Sequence, residues 1–197
     1  EISVRDWSSD VCSSDLLGVE LTPGGQHVGL GTRNFLASLG SGRYLEAIGP
    51  DPDQPDPDQP RPFGLDDLTA PRLLTWAAGV SDLASVVDRA REAGYDPGEV
   101  LPMSRRRADG VLLEWQVAFS EETEGGLVPL LIDWGDSPHP SGDAAGGLEL
   151  VSFTGTHPDP DRVAGKLAAL GLELPVNPGS PALWATLSTP AGEVVLT

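Results

Sequence analysis

The sequence is poor in cysteine, in lysine and in long apolar runs. Cys12 is the only cysteine among 197 residues, which excludes an internal disulfide and any cysteine-rich zinc site. Lys166 is the only lysine, and 12 basic against 30 acidic side chains give a net charge of -18. Nucleic-acid binding needs clustered Lys and Arg to neutralise phosphates, so no nucleic-acid partner is expected. No apolar run approaches the roughly 20 residues of a spanning helix, and no secretory apolar region is present. A cytoplasmic protein with no membrane partner is the expectation. Gly-rich phosphate loops, the nucleophile elbow and the HExxH zinc motif are all missing. What is abundant is turn chemistry, with 24 Gly and 19 Pro in a chain that is 39% apolar. The length suits one domain or two small ones, with a core burying about 70% of the unfolded surface.

None of those glycines and prolines lies in residues 1–16, a serine-rich tract that contains Ser-Ser-Asp twice (Ser8–Asp10, Ser13–Asp15). It has neither helical nor strand periodicity. It resembles translated sequencing-adapter read-through, and is expected to lie outside the native fold.

The remainder repeats itself. At an offset of 77, Leu74 and Trp76 correspond to Val151 and Phe153, an alternating apolar pair suited to a strand. Asp82 corresponds to Asp159, each placed to cap a helix N-terminus. Val86, Ala90 and Ala93 correspond to Val163, Leu167 and Leu170, a helical stripe. Gly94 corresponds to Gly171, each placed to end a helix in the left-handed conformation. A third copy shows in Leu17–Leu21, which matches Leu170–Leu174 and makes Gly18 another helix terminator. A strand and helix of roughly 22 residues, the Arg72–Gly94 spacing, should then precede Gly18. The adapter-like tract stands there instead, so the first unit is expected to be truncated.

Strands should follow each helix. They are expected at Val28–Leu30, Arg33–Leu39 and Arg43–Ile48 in the first unit. In the second they fall at Glu99–Ser104, Val111–Phe119 and Leu127–Trp134, and in the third at Leu183–Ser188 and Glu193–Thr197. Glycine and proline at the joins are hairpin signals. Each unit is therefore β-α-β-β-β or a near variant, and the fold class is α+β. Units one and two are separated by a linker, residues 51–71, and from Pro50 to Pro62 Pro-Asp-Pro-Asp-Gln occurs twice in succession. Alternating prolines predict an extended acidic spacer reaching up to about 40 Å. Residues 137–147 form a second, Gly/Ala/Asp-rich join.

Gly24-Gly25-Gln26-His27, Gly31-Thr32-Arg33-Asn34 and Tyr44-Leu45-Glu46 resemble the glyoxalase-like domain family of the vicinal oxygen chelate superfamily. Met103-Ser104-Arg105, Leu113-Glu114-Trp115, Leu131-Ile132-Asp133-Trp134 and His139-Pro140 continue that resemblance over residues 17–197. It implies a curved mixed sheet of βαβββ modules that pair around a cleft. It also implies a divalent metal held by His, Glu or Gln from the first and last strands of each module, with open positions for substrate oxygens.

On that resemblance Glu46 is the last-strand carboxylate, and Asp133 stands at the corresponding place in the second unit. The first-strand histidine would fall in the truncated segment, while Trp76 and Phe153 occupy first-strand positions where no ligand is offered. A divalent metal is expected in the intact protein, but tight binding is not expected from two carboxylates, Glu46 and Asp133. Glu46 has the alternative of pairing with Arg33 or Arg43, and Asp133 that of capping a turn. His27 and Glu46 are the candidate catalytic residues, although His27 equally suits a structural hydrogen bond. His139, between two prolines, and His157, before a helix cap, suit local structural roles.

Arg33, Asn34, Trp76, Arg105, Trp115 and His139 are the candidate substrate contacts. The Arg105-Arg106-Arg107 run can hold an anionic group, or can simply balance charge at a strand end. The tryptophans can stack on a ligand or fill a core. Three functions stay open. One is a metal-assisted lyase, isomerase or dioxygenase acting on a small oxygenated, anionic metabolite. The second is a non-catalytic protein that sequesters a small molecule, of bleomycin-resistance type. The third is a structural domain whose odd module seeks a mate in a homodimer.

Overall fold

The computed structural model describes the backbone of Ile2–Arg5, and residues 16–107 and 109–197 in full. Eight strands close into a barrel. Module one supplies β1 (Ile2–Arg5), β2 (Thr22–His27), β3 (Thr32–Gly40) and β4 (Arg43–Pro50). Module two supplies β5 (Leu73–Gly79), helix α1 (Leu83–Glu92), β6 (Leu101–Arg106), β7 (Leu112–Ala118) and β8 (Leu130–Asp133). The order round the barrel is β1-β4-β3-β2-β6-β7-β8-β5. Each module has its first strand parallel to its last, and the two modules meet antiparallel at two seams, β1 with β5 and β2 with β6. That arrangement relates the modules by a pseudo-two-fold.

The expectation of a missing first strand is corrected. Ile2–Arg5 lie between β4 and β5, with Ser3 opposite both Glu46 and Thr75. Strand pairing is carried by backbone groups, so a four-residue segment serves whatever its origin and without a strand period in the tract around it. Residues 6–15, where most of the first helix was expected to be missing, lie outside the described residues. The first hairpin strand is also shifted, because β2 is Thr22–His27 and Val28–Leu30 form the turn after it, with Leu30 N–H donating to His27 O at 3.1 Å.

The third unit builds β9 (Glu149–His157), α2 (Pro160–Ala169), β10 (Val176–Pro178), β11 (Ala182–Thr189) and β12 (Gly192–Leu196). These strands form their own sheet in the order β10-β9-β11-β12.

The helix-ending devices match at the offset of 77. Asp82 accepts from Ser85 N–H at 3.3 Å and Asp159 from Arg162 N–H at 3.1 Å. At the other ends Tyr95 N–H donates to Ala90 O and Leu172 N–H to Leu167 O, both at 2.9 Å. Gly94 (φ +91°) and Gly171 (φ +72°) supply the left-handed residue this closure requires. Gly18 is left-handed too (φ +65°). None of the described helices is long and apolar enough to cross a membrane.

One main core lies outside the barrel. Leu45, Ala47 and Leu131 on the outer barrel face pack with Val87 of α1, Leu167 of α2, and Leu183 and Leu187 of β11. Trp76 and Phe153, repeat-equivalent positions, meet edge to face at 5.5 Å across this interface. Glu124, half-buried with its side chain 7% exposed, fastens the join further, accepting from Lys166 at 2.5 Å and Arg162 at 2.7 Å, with His157 at 3.3 Å. Burial opposes ionisation of Glu124, but the Lys166 and Arg162 contacts outweigh it and hold its carboxyl below the usual range.

The proline-rich segment is a strap rather than a spanning spacer. Asp51 accepts from Gln26 at 2.7 Å and Gln54 at 2.8 Å, while Arg61 donates to Gly31 O at 3.0 Å and pairs with Asp56 and Asp66. These contacts fold the chain back over the β2–β3 turn, and a 3-10 segment, Pro62–Asp67, reaches the barrel mouth. The 137–147 join is likewise fastened, with Ser38 N–H donating to Ala145 O at 2.7 Å and Arg107 pairing with Asp143.

Candidate functional site

Side chains alternate across a strand, so every second residue of the barrel faces inward. Tyr44, Glu46 and Ile48 of β4 point into a cavity of about 780 Å³, as do Leu101, Met103 and Arg105 of β6 and Trp115 and Val117 of β7. The wall formed by β7, β8 and β5 is largely apolar, with Trp115, Val117, Leu130, Ile132 and Leu74, and Trp115 lies 4.9 Å from Trp134 between ring centres. Phe63 and Leu68 of the strap line the mouth.

Four consecutive strands, β4, β3, β2 and β6, carry the buried Glu46, Asn34, His27 and Arg105, while Thr75 of β5 is buried on the facing wall. Asn34 is their centre. Its Nδ2 donates to Glu46 Oε1 at 2.8 Å and reaches His27 Nε2 at 3.4 Å, while its Oδ1 accepts from Arg105 Nη1 at 3.0 Å. An amide nitrogen only donates, so His27 Nε2 accepts and the ring proton sits on Nδ1, which donates to Thr32 Oγ1 at 3.0 Å. Burial, then the Arg105 charge, push the His27 pKa down to about 4, with Asp51 acting weakly the other way. His27 is therefore neutral near pH 7.

The double glycine explains how Arg105 crosses the seam. A Cβ on Gly24 would fall on Asn34 Oδ1 and Arg105 Nη1, and one on Gly25 (φ +140°) would fall on the Arg106 carbonyl oxygen. Only glycine lets β2 approach β6 this closely.

Of the residues singled out by sequence, His27, Asn34, Glu46, Arg105 and Trp115 come together in the cavity. The others stand elsewhere. Arg33, next to Asn34 on β3, faces outward over the Phe35 ring at 5.6 Å and toward Asp53 at 3.9 Å. Trp76 lies on the outer barrel face with its Nε1 donating to Leu127 O at 3.0 Å. His139 accepts from Ser141 N–H and packs on Tyr44 at 5.5 Å, behind the cavity wall. Asp133 takes the turn-capping alternative, accepting from Leu83 N–H at 3.3 Å and Gly135 N–H at 2.9 Å. Sequence reasoning missed Met103, Leu130, Ile132 and the strap residue Phe63, all of which line the cavity. Strand alternation from Arg105 or from Trp134 could have found the first three.

A model of the glyoxalase-like domain family matches residues 4–171. The chain belongs to that family. Among solved structures it is similar to a hypothetical protein from Staphylococcus aureus, at 13% identity and a TM-score of 0.62, over 98% of this chain and 82% of that one. That likeness concerns the fold. No curated protein matches the sequence. The mixed curved sheet of this glyoxalase-like domain agrees with the vicinal oxygen chelate fold.

The family implies a divalent metal inside the barrel, and the donors present can be tested against one. Glu46 and His27 are the oxygen and nitrogen donors of module one, but both ring nitrogens of His27 are engaged with Thr32 and Asn34. The facing strands offer Thr75, Ala77, Leu130 and Ile132. Among the described residues no three His, Cys, Asp or Glu come together as a cation site. This donor set does not fit a four-point metal centre.

Proposed function

We propose that this glyoxalase-like domain binds a small molecule with an apolar body and one polar head, without calling on a metal. The body lies against Met103, Trp115, Leu130 and Ile132, and the head against the Arg105–Asn34–Glu46–His27 cluster. One observation carries this reading: a cavity of about 780 Å³ that is largely apolar on one side and keeps its buried charged side chains on the other. Cavities of roughly this size and make-up are typical ligand sites. Of the functions left open by sequence, sequestration of a small molecule suits this geometry better than metal-assisted chemistry, since the described side chains lack a complete donor set.

The test is a titration of small phenyl-bearing acids, amines and amino acids, followed by quenching of tryptophan fluorescence. Saturable one-to-one binding that Trp115→Ser removes is expected, as is an unchanged thermal midpoint when manganese, zinc or nickel is added. If no probe binds, the reading fails. If a metal raises the midpoint and Glu46→Gln abolishes that rise, the metal-assisted reading replaces it.

A further inference from the structure

The polar cluster carries a more specific message, which rests on the binding reading above. Arg105 and Glu46 come from different modules, both are buried, and both line one cavity. Asn34 lies between them as a bridge, presenting its acceptor oxygen to the guanidinium and its donor nitrogen to the carboxylate. A side-chain amide is a neutral group with an acceptor and a donor on adjacent positions. A ligand that satisfies the same two charged groups must offer an acceptor and a donor in the same order. His27 does not disturb the balance, because it is held neutral with its proton turned toward Thr32.

Charge decides which such ligand fits. A lone carboxylate on Arg105 would bring a second negative charge beside Glu46, and a lone amine on Glu46 would bring a second positive charge beside Arg105. Both are costly in a buried site, where unbalanced charge is weakly screened. A zwitterion adds one charge of each sign, each facing its opposite. The fork of an arginine suits a carboxylate, and a carboxylate suits an ammonium. The neighbouring wall of Met103, Trp115, Leu130 and Ile132 suits a large apolar substituent.

We infer that the cavity takes a zwitterionic α-amino acid with a large apolar side chain, its carboxylate on Arg105 and its ammonium on Glu46. Three probes of the same size test this on the unaltered protein at pH 7: L-phenylalanine, 3-phenylpropanoate, which lacks the ammonium, and phenethylamine, which lacks the carboxylate. Calorimetric titration should show L-phenylalanine binding at least tenfold more tightly than either. Glu46→Gln should cut its advantage over 3-phenylpropanoate below threefold, and Arg105→Met should do the same for phenethylamine.

Binding of 3-phenylpropanoate or phenethylamine as tight as that of L-phenylalanine overturns the inference and leaves the binding reading standing. Failure of all three to bind overturns both. The ligand comparison on the native chain needs no variant, so a misfolded mutant cannot obscure the result.

Discussion

Modules two and three are written with one local code and built into two different sheets. Both run strand, aspartate cap, helix and left-handed glycine, and both close their helices through the same backbone bonds. They part in how the later strands pair with the first: β5 lies parallel beside the last strand, β8, whereas β9 lies between β10 and β11 and leaves β12 at the edge. In module two, β6 is six residues long and sits beyond β7, where it can pair with β2 of module one. In module three, β10 is three residues long and lies parallel beside β9. The face opposite the helix therefore becomes a cavity wall in module two. In module three the same face stays open, with Val151, Trp184 and Val195 exposed. Local signals thus build the helix and its strand, while the pairing order of the later strands decides whether the sheet encloses anything.

The largest effect should come from the core that the modules share. Leu167 on α2 is buried and packs in one cluster with Val87 of α1 and Leu131 of the barrel. Leu167→Ala should cost about 2–5 kcal/mol, the usual range for a truncated core leucine. Because that core is continuous, urea unfolding followed by tryptophan fluorescence and by circular dichroism should remain a single coincident transition at a lower midpoint. An early separate step would mean that module three is an independent appendage, and the comparison would fail.

What the sequence made legible follows the same division. Asp82, Asp159, Gly94, Gly171 and Gly18 were readable because capping and helix closure depend on a few adjacent residues. The pairing order was not readable, since it depends on which edge a distant strand finds. The site shows the difference residue by residue. Glu46 and Arg105 were identified through motifs. Arg33 and Trp76 were misplaced because a one-residue change of phase sends a strand side chain to the other face, and the bulge where Ser3 and Val4 pair with β5 adds such a shift. The strap was misread as a spacer because prolines fix an extended backbone but say nothing of where it docks. Its course is set by Asp51 and Arg61 gripping residues more than 20 positions away.

A second test contrasts two buried histidines. His27 faces the barrel interior and His157 the joint with module three, each only 6–7% exposed. His27 has its pKa lowered from 6.5 to about 4, first by burial and then by Arg105. The folded state thus resists a proton that the unfolded chain accepts, so stability falls as pH drops from about 6.5 to about 4 and levels off below. The loss attributable to His27 should reach at most about 3 kcal/mol by linkage. It is checked by comparing the pH dependence of unfolding with that of His27→Gln, which should lack the slope between pH 6.5 and 4. A ring-proton shift for His27 titrating near 6.5 in NMR would mean that the barrel interior is wet, and the contrast between enclosed and open faces would weaken.

The smallest expected effect addresses those faces most directly. Trp115 and Trp184 stand on the third strands of modules two and three. Trp115 lines the cavity, whereas Trp184 is 41% exposed on the open sheet. Substitutions at exposed positions usually change stability by less than about 0.5 kcal/mol. Trp184→Ser should therefore leave the urea midpoint and ligand-dependent quenching as they are, removing only a solvent-exposed contribution to the emission. Trp115→Ser should remove the quenching itself. If Trp184→Ser instead destabilised the protein by about 2 kcal/mol or more, with a loss that grew on dilution, the open face of module three would be covered in solution by another copy of the chain. The two modules would then differ in what their inner faces meet, rather than in whether they meet anything.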